Sequence, residues 1–262
     1  MDIENKLILA IKASVKSGEI LLKNYSDEKQ FKLKSKINRD VYTRVDLDSE
    51  NEIIKIFSKN NKEKINLLLE ENGYIKLGKS KKSIWLVDAL DGTVNYIHKI
   101  PFFCTSIALM EKGNFQFGVI FNPLSNELYY SHPKNGVFKN SARIKIDNCE
   151  LSKSLVAISL SSKVNKKDEE LQLFKKINSL SQGALRTGSA GMNLAYFSEG
   201  KFSACLGFEN KIWDVAAGLA MAKKNGAEIF YKYKNNKKTI ISFLAANKNN
   251  FKDLYSICKK VI

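Results

Sequence analysis

Short apolar runs alternate with amphipathic segments along the chain, and several of these runs end at an acidic residue. The runs at 65–70 and 84–88 have the length and composition of strands and end at Glu70 and Asp88. Apolar positions across residues 3–25 instead recur with helical spacing, and Asp2 is placed to cap that helix. This alternation favours a layered α/β fold, in which active sites collect where strands end.

The first half of the chain is predicted to be rich in strands, whereas helices and strands alternate in the second half. The predicted strands are 65–70, 84–88, 102–110, 115–121, 127–131, 154–160, 202–206, 227–231 and 240–245. The predicted helices are 3–25, 46–59, 167–180, 190–199, 213–225 and 248–260. We expect two packed halves, residues 1–148 and 149–262, joined by a hinge near 145–153.

Composition excludes several kinds of functional site. The only histidines are His98 and His132, too few for a His-rich metal centre and unfavourable for a Ser-His-Asp triad. The four cysteines form no closely spaced pair, which argues against a zinc ribbon or a dithiol redox motif. They are typical of reduced thiols in a cytoplasmic protein. The N-terminal segment lacks the order of a signal peptide, and no apolar run is long enough to span a membrane.

The formal net charge is +16, which in principle suggests a nucleic-acid or membrane partner. Only four of the 43 basic residues are arginine, the residue that nucleic-acid readers use for bidentate contacts. A compositional lysine bias therefore explains the charge better than nucleic-acid binding, which remains the less favoured alternative. We expect no membrane partner.

The segment Trp85–Ala108 carries the most informative motif. A buried strand ends at Asp88, Asp91 follows three residues later, and Gly92-Thr93 comes next. Two carboxylates at a strand end form an oxygen site suited to Mg²⁺, and a helix that starts at Gly92-Thr93 offers free N–H groups to a phosphate. Taken alone, the same residues fit an ordinary turn capped by Asp.

Other acidic residues also lie at the ends of predicted elements, which favours a functional site over an ordinary turn. Asp46 comes just before the second predicted helix, Glu70-Glu71 end an apolar run, and Asp214 lies at the start of another helix. Together with Asp88 and Asp91, these residues form a set of acids that no single local turn explains.

Three motifs resemble those of the inositol monophosphatase family, a group of Mg²⁺-dependent, lithium-sensitive phosphomonoesterases. The family pattern has Gly-Glu-Glu, a Trp-containing strand that ends in Asp-Pro-x-Asp-Gly-Thr, and Trp-Asp-x-Ala-Ala-Gly. The matching segments here are 69–71, 85–93 and 213–218. The resemblance spans nearly the whole chain and implies the αβαβα sandwich shared by inositol monophosphatase and fructose-1,6-bisphosphatase, an α/β fold.

The resemblance also implies roles for individual residues. Glu70, Asp88 and the Leu90 carbonyl would hold one Mg²⁺, while Asp88, Asp91 and Asp214 would hold a second, within a total of two or three ions. Gly92 and Thr93 would bind phosphate, and Thr93 with Asp46 would activate water beside the Glu70 metal. The implied substrate contacts are Asp91, Gly188, Ser189, Ala190 and Asp214.

The chain departs from the family pattern at several positions. Leu69 replaces the Gly before Glu-Glu, and Ala89 replaces the Pro after the first Asp, where we expect only local adjustment. Gly207 stands where inositol-cleaving members often have a Glu, and the nearest acid is Glu209. A family Lys near the metals aligns cleanly with neither Lys34 nor Lys36.

We therefore expect a phosphatase that hydrolyses a small phosphate monoester, such as inositol monophosphate or a related polyol or sugar phosphate. The alternatives are 3′-phosphoadenosine 5′-phosphate, histidinol phosphate or fructose 1,6-bisphosphate as the substrate, or a regulatory role in binding RNA or a ribonucleoprotein. The family resemblance further implies a homodimer.

Overall fold

The computed structural model describes residues 2–26, 34–35, 41–60, 63–79, 82–162 and 167–262. Helices in these residues are α1 (Ile3–Asn24), α2 (Arg44–Asn60), α3 (Thr93–Ile97), α4 (Lys167–Leu180), α5 (Ala190–Ser198), α6 (Ile212–Lys224) and α7 (Lys248–Cys258). Asp2 caps α1 as predicted, because its carboxylate accepts the N–H of Asn5 at 2.8 Å. α2 begins at Arg44, so Asp46 lies in the first turn of the helix and not before it.

Fifteen strands are present in the described residues. They are β1 (Lys34–Ser35), β2 (Val41–Tyr42), β3 (Asn66–Leu69), β4 (Tyr74–Ile75), β5 (Ser83–Asp91), β6 (Cys104–Glu111), β7 (Asn114–Asn122), β8 (Glu127–His132), β9 (Gly136–Lys139), β10 (Ala142–Ile144), β11 (Leu155–Ser159), β12 (Gly183–Leu185), β13 (Ala204–Lys211), β14 (Glu228–Tyr233) and β15 (Ile240–Ala246). β1 and β2 form a separate antiparallel pair.

The remaining strands form two sheets. The larger sheet has the order β10-β9-β8-β7-β6-β5-β3-β4, and it is antiparallel except for the parallel pair β3 and β5. The smaller sheet has the order β12-β11-β13-β15-β14, in which β11 runs parallel to both of its neighbours. Leu69 at the end of β3 pairs with Val87 of β5, so the next residues, Glu70 and Asp88, lie side by side. The strand predicted to end at Asp88 continues to Asp91, after a register shift between Asp88 and Asp91.

The helices and sheets alternate in five layers. α1 and α2 pack on one face of the larger sheet around Trp85 and Phe57, while α5 and α6 fill the space between the two sheets. α4 and α7 cover the outer face of the smaller sheet. This arrangement confirms the predicted αβαβα sandwich.

α6 lies unusually close to the larger sheet. A Cβ atom built on Gly118 of β7 would lie 2.3 Å from the Cα of Ala217, so only glycine fits at this contact. Asp214 lies on α6, so this close packing determines how near the Asp214 carboxylate lies to the larger sheet.

The predicted division into halves 1–148 and 149–262 stays a prediction. The larger sheet lies within the first range and the smaller sheet within the second, but α5 and α6 pack against both sheets. The four cysteines all lie in the described residues and are free thiols. Among the described helices, none combines the length and the apolar character needed to cross a bilayer.

Candidate active site

Three carboxylates converge where β3, β5 and α6 meet. One oxygen each from Glu70, Asp88 and Asp214 lies within 4.8 Å of the others. Ligand oxygens lie about 2.1 Å from Mg²⁺, so two ligands of one ion are at most about 4.2 Å apart, and only a small closure is needed. Glu70 is exposed in the cleft, Asp88 is buried and Asp214 is half-buried.

Electrostatics also favour a bound cation at this cluster. Desolvation raises the pKa of Asp88 well above its usual value, and the negative charges of Glu70 and Asp214 raise it further. The pKa of Asp214 is likewise raised, first by desolvation and then by the charge of Asp91. A divalent cation would neutralise these charges, and a set of oxygen donors is the kind that Mg²⁺ prefers. The residues present therefore fit the metal that the resemblance implies.

Asp91 is held in place by hydrogen bonds to one of its two carboxylate oxygens. Its Oδ2 accepts hydrogen bonds from the hydroxyl of Ser189 at 2.5 Å and the N–H of Gly191 at 2.6 Å. The thiol of Cys104 lies 3.7 Å from the same oxygen. Desolvation raises the pKa of Asp91 to about 6, although the hydrogen bond from Ser189 opposes this change.

Asp46 and Thr93 form a second polar unit beside the acidic cluster. The Thr93 hydroxyl lies 3.1 Å from Asp46 Oδ1 and 3.1 Å from the Leu90 carbonyl oxygen. The other oxygen, Oδ2, accepts the N–H of Thr43 at 2.7 Å and its hydroxyl at 2.5 Å. Thr43 in turn accepts the N–H of Asp46 at 3.4 Å, so this pair forms a capping box for α2. Desolvation raises the pKa of Asp46 to about 6.

The turn after β5 and the loop before α5 are joined by one side chain. α3 begins at Thr93 as predicted, and Gly92 before it has a φ of +95°, a conformation that favours glycine. Asn95 Nδ2 donates to the Phe102 carbonyl at 2.7 Å and to the Thr187 carbonyl at 2.9 Å. Gly188 also has a φ of +95° and lies against the Asn95 amide. The Gly92 turn and the 186–190 loop therefore form one unit.

These groups line a cleft with a volume of about 210 Å³. Its walls are formed by Glu70, Asp88, Leu90, Asp91, Gly92, Thr93, Val94, Arg186, Gly188 and Asp214. The structure thus brings together the sequence-predicted residues except three, which lie behind the cleft wall. Asp46 contacts Thr93 from behind, while Ser189 and Ala190 are buried at the start of α5.

Val94 and Arg186 line the cleft but were not among the sequence-predicted site residues. Both lie next to predicted site residues, Val94 in the Gly-Thr turn and Arg186 two positions before Gly188, which is the signal that could have found them. Glu50 of α2, which accepts the N–H groups of Glu71 and Asn72, was also not predicted from the sequence.

Comparison with known proteins assigns the family. The sequence model of the inositol monophosphatase family matches residues 2–260. The chain belongs to this family. Two similar relatives are the Nus factor SuhB of Haemophilus influenzae and the inositol-1-monophosphatase of Mesorhizobium japonicum. The first is 32% identical over 224 residues, which cover 84% of this chain and 82% of that protein. The second is 29% identical over 223 residues, which cover 84% of this chain and 83% of that protein.

Solved structures of the inositol monophosphatase family share this fold across nearly their full length. The extragenic suppressor protein SuhB of Bartonella henselae superimposes with a TM-score of 0.88 at 28% identity, covering 98% of this chain and 99% of that chain. The inositol monophosphatase of Anabaena superimposes with a TM-score of 0.82 at 26% identity, covering 99% and 97%.

Departures from the inositol monophosphatase pattern lie in well-packed places. Leu69 and Ala89 are buried in the core under α1 and α2, and the Ala89 carbonyl accepts the Thr105 hydroxyl at 2.9 Å. Gly207 lies in β13, where a Cβ atom would meet Asn210 Oδ1 at 2.1 Å and Phe243 Cε1 at 2.2 Å. A side chain at position 207 would therefore require the Asn210 and Phe243 side chains to shift.

The remaining candidates of the sequence analysis lie away from the cleft wall or outside the described residues. His98 is exposed after α3, and His132 Nδ1 accepts the N–H groups of Lys134 and Asn135 in a turn. Lys34 lies in β1 without a described side chain, and Lys36 lies outside the described residues. Glu209 is not among the residues that line the cleft.

Proposed function

We propose that this protein is a phosphatase that hydrolyses a small phosphate monoester with Mg²⁺. The observation that carries this proposal is the position of the Glu70, Asp88 and Asp214 carboxylates in the same cleft as Gly92 and Thr93. An acidic cluster alone would repel a phosphate, whereas a metal-loaded cluster beside free N–H groups would bind one. Membership of the inositol monophosphatase family supports the same conclusion.

Two or three Mg²⁺ ions are proposed. Glu70, Asp88 and the Leu90 carbonyl would hold one ion, while Asp88, Asp91 and Asp214 would hold another. Bound Mg²⁺ would supply charge neutralisation at the phosphate and a lower pKa for the attacking water. Gly92 and Thr93 would donate backbone N–H groups to the phosphate oxygens.

Asp46 and Thr93 would remove the proton from the attacking water. The Thr93 hydroxyl donates to Asp46 Oδ1, which leaves lone pairs on the Thr93 oxygen free to accept a proton from water. As the water oxygen bonds to phosphorus, its proton passes to Thr93 and the Thr93 proton passes to Asp46. The phosphorus bond to the leaving oxygen breaks, and that oxygen takes a proton from solvent. Positioning and charge neutralisation supply most of the rate in such reactions.

The proposed substrate is inositol monophosphate or a related polyol or sugar phosphate. Arg186 and Gly188 line the cleft from the α5 side, with Ser189 and Ala190 behind them, so this loop would contact the leaving group. Because Gly207 offers no carboxylate to a sugar hydroxyl, we keep 3′-phosphoadenosine 5′-phosphate, histidinol phosphate and fructose 1,6-bisphosphate as alternatives. Lithium inhibition, a homodimer and a cytoplasmic location belong to the same proposal.

The test is phosphate release from a panel of these four substrates with and without Mg²⁺. We expect Mg²⁺-dependent turnover of at least one substrate. In Asp214→Asn the turnover rate is expected to fall more than about 100-fold, because a metal contributes several kcal/mol to stabilising the transition state. Asp253→Asn, an exposed acid on α7, is the matched control and keeps full activity. A folded wild-type protein that turns over none of the panel contradicts the proposal.

A second candidate function is regulation through RNA or a ribonucleoprotein partner. Several similar relatives, including those of Pasteurella multocida and Vibrio cholerae, carry the name Nus factor SuhB. The net charge of +16 would support binding to RNA. Binding that weakens steeply with salt and persists in Asp214→Asn favours this function. Binding no tighter than that of an unrelated Lys-rich protein contradicts it.

A further inference from the structure

Glu50 is a buried acid whose carboxylate binds the turn that follows β3. Its side chain lies in α2 and has no exposed surface. Oε1 accepts the N–H of Glu71 at 2.9 Å, while Oε2 accepts the backbone N–H of Asn72 at 2.9 Å and its Nδ2 at 2.8 Å. Such charge-assisted bonds are about twice as strong as neutral ones, so they hold the turn firmly.

The turn that Glu50 binds carries Glu70. β3 ends at Leu69, whose N–H donates to the Gly73 carbonyl at 2.9 Å and closes the turn. The Glu70 side chain lines the cleft, and among the described residues no hydrogen bond or ion pair fixes the direction of its carboxylate. Its position depends on the backbone of the turn, and two backbone N–H groups of that turn end on Glu50.

Glu50 lies one helical turn after Asp46 on the same face of α2. Residues four apart on a helix are neighbours, so one short segment reaches both sides of the cleft. Asp46 contacts Thr93 at 3.1 Å, and Glu50 contacts the turn beside Glu70. The first two turns of α2 therefore link the proposed base to the outermost acid of the cluster.

We propose that Glu50 is a positioning residue that holds Glu70 in the geometry needed for metal binding. This inference rests on the proposed metal-dependent function. Glu50 itself touches neither metal nor substrate, and it acts through the backbone of Glu71 and Asn72. Without it, the exposed Glu70 would sample several directions, and its affinity for a cation would fall.

The test compares Glu50→Gln with the wild type by thermal unfolding over a range of Mg²⁺ concentrations. The Mg²⁺ midpoint is the concentration that gives half of the maximal increase in Tm. Gln offers one acceptor oxygen where Glu offers two, so an NH₂ group must face an N–H of the turn. We expect the Mg²⁺ midpoint to rise about tenfold or more, as for other groups that orient metal ligands. Phosphatase activity returns at saturating Mg²⁺.

Glu52→Gln is the matched control, because Glu52 lies two positions further along α2 and pairs only at the surface with Lys55 at 3.1 Å. Its Mg²⁺ midpoint stays at the wild-type value. A purely structural role for Glu50 lowers the Tm without Mg²⁺ and leaves the midpoint unchanged, and this result overturns the inference. Asn72→Asp, at an exposed position, places a carboxylate against Glu50 and is expected to raise the midpoint even if Glu50→Gln fails to fold.

The thermal measurement needs no substrate, so it separates this inference from the proposed function. If the wild type hydrolyses none of the panel but gains Tm with Mg²⁺, the proposed function fails and the role of Glu50 is still measured. If Mg²⁺ changes the Tm of neither protein, both are contradicted.

Discussion

The hydroxyl of Thr93 lies 3.1 Å from a carboxylate oxygen of Asp46, although 47 positions separate the two residues in the chain. The second oxygen of Asp46 caps α2 through Thr43. The Asp46 carboxylate therefore both caps α2 and contacts Thr93, so the position of the α2 N-terminus determines the position of the proposed base. Desolvation raises its pKa to about 6, which suits a group that accepts a proton near neutral pH.

Replacing Thr93 with Ala removes the hydroxyl between water and Asp46. We expect kcat to fall by about 10²- to 10⁴-fold, the usual contribution of general acid–base catalysis. The Mg²⁺ midpoint stays near the wild-type value, because the carboxylate cluster is intact. Steady-state kinetics and thermal unfolding measure the two effects. Thr93→Ser keeps the hydroxyl and serves as the control, and equal activity in both variants would refute the assignment.

Ser189→Ala tests how Asp91 is held. The change removes the donor 2.5 Å from Asp91 Oδ2 and also the side-chain cap of α5. We expect the free energy of unfolding to fall by about 1 kcal/mol and the Mg²⁺ midpoint to rise. Asn247→Ala removes the cap of α7 instead, and it lowers stability without moving the midpoint. An unchanged midpoint in Ser189→Ala would show that this hydroxyl only caps the helix.

The acidic cluster predicts a pH dependence of the metal-free protein. The pKa of Asp91 is about 6 when folded against an ordinary value of 3.8, so between these values the folded state binds more protons than the unfolded chain. Stability contributed by this group therefore falls as pH rises from about 4 to 6. Mg²⁺ competes with those protons, so the gain in Tm on adding Mg²⁺ is expected to be larger at pH 7.5 than at pH 5.

Asp88→Asn is the comparison for this pH effect, because it removes one of the repelling charges. Its metal-free Tm is expected to change less between pH 5 and pH 7.5 than that of the wild type, as measured by thermal unfolding in the same buffers. A gain in Tm with Mg²⁺ that is equal at both pH values in the wild type would speak against metal binding at these carboxylates.

Gly118→Ala tests the contact that places α6. The added Cβ would lie 2.3 Å from backbone atoms of Ala217, which cannot move aside as a side chain can. We expect a loss of about 1–3 kcal/mol in the free energy of unfolding from overpacking, with a raised Mg²⁺ midpoint because α6 carries Asp214. Denaturant unfolding measures the loss. Gly183→Ala, which meets only a Leu155 side-chain atom at 3.3 Å, is the control and is expected to cost less.

Long periodic segments were predicted well from the sequence, whereas short strands were missed. The helix predicted at 167–180 is α4, and the strand predicted at 115–121 lies within β7. β4, with two residues, and β12, with three, are too short to show a period of two, and pairing with longer neighbours stabilises them. α2 starts two residues earlier than the predicted 46–59, because the capping box between Thr43 and Asp46 brings Arg44 and Val45 into the first turn.

The sequence by itself determined the layered fold class and the identity of the acids, because buried strands and the residues at their ends leave a local pattern. Only the tertiary structure decided which groups hold those acids. Ser189 reaches Asp91 across 98 positions, and Glu50 reaches Asn72 across 22. Neither contact leaves a periodic or motif signal, since a hydrogen bond between distant segments depends on how the layers pack.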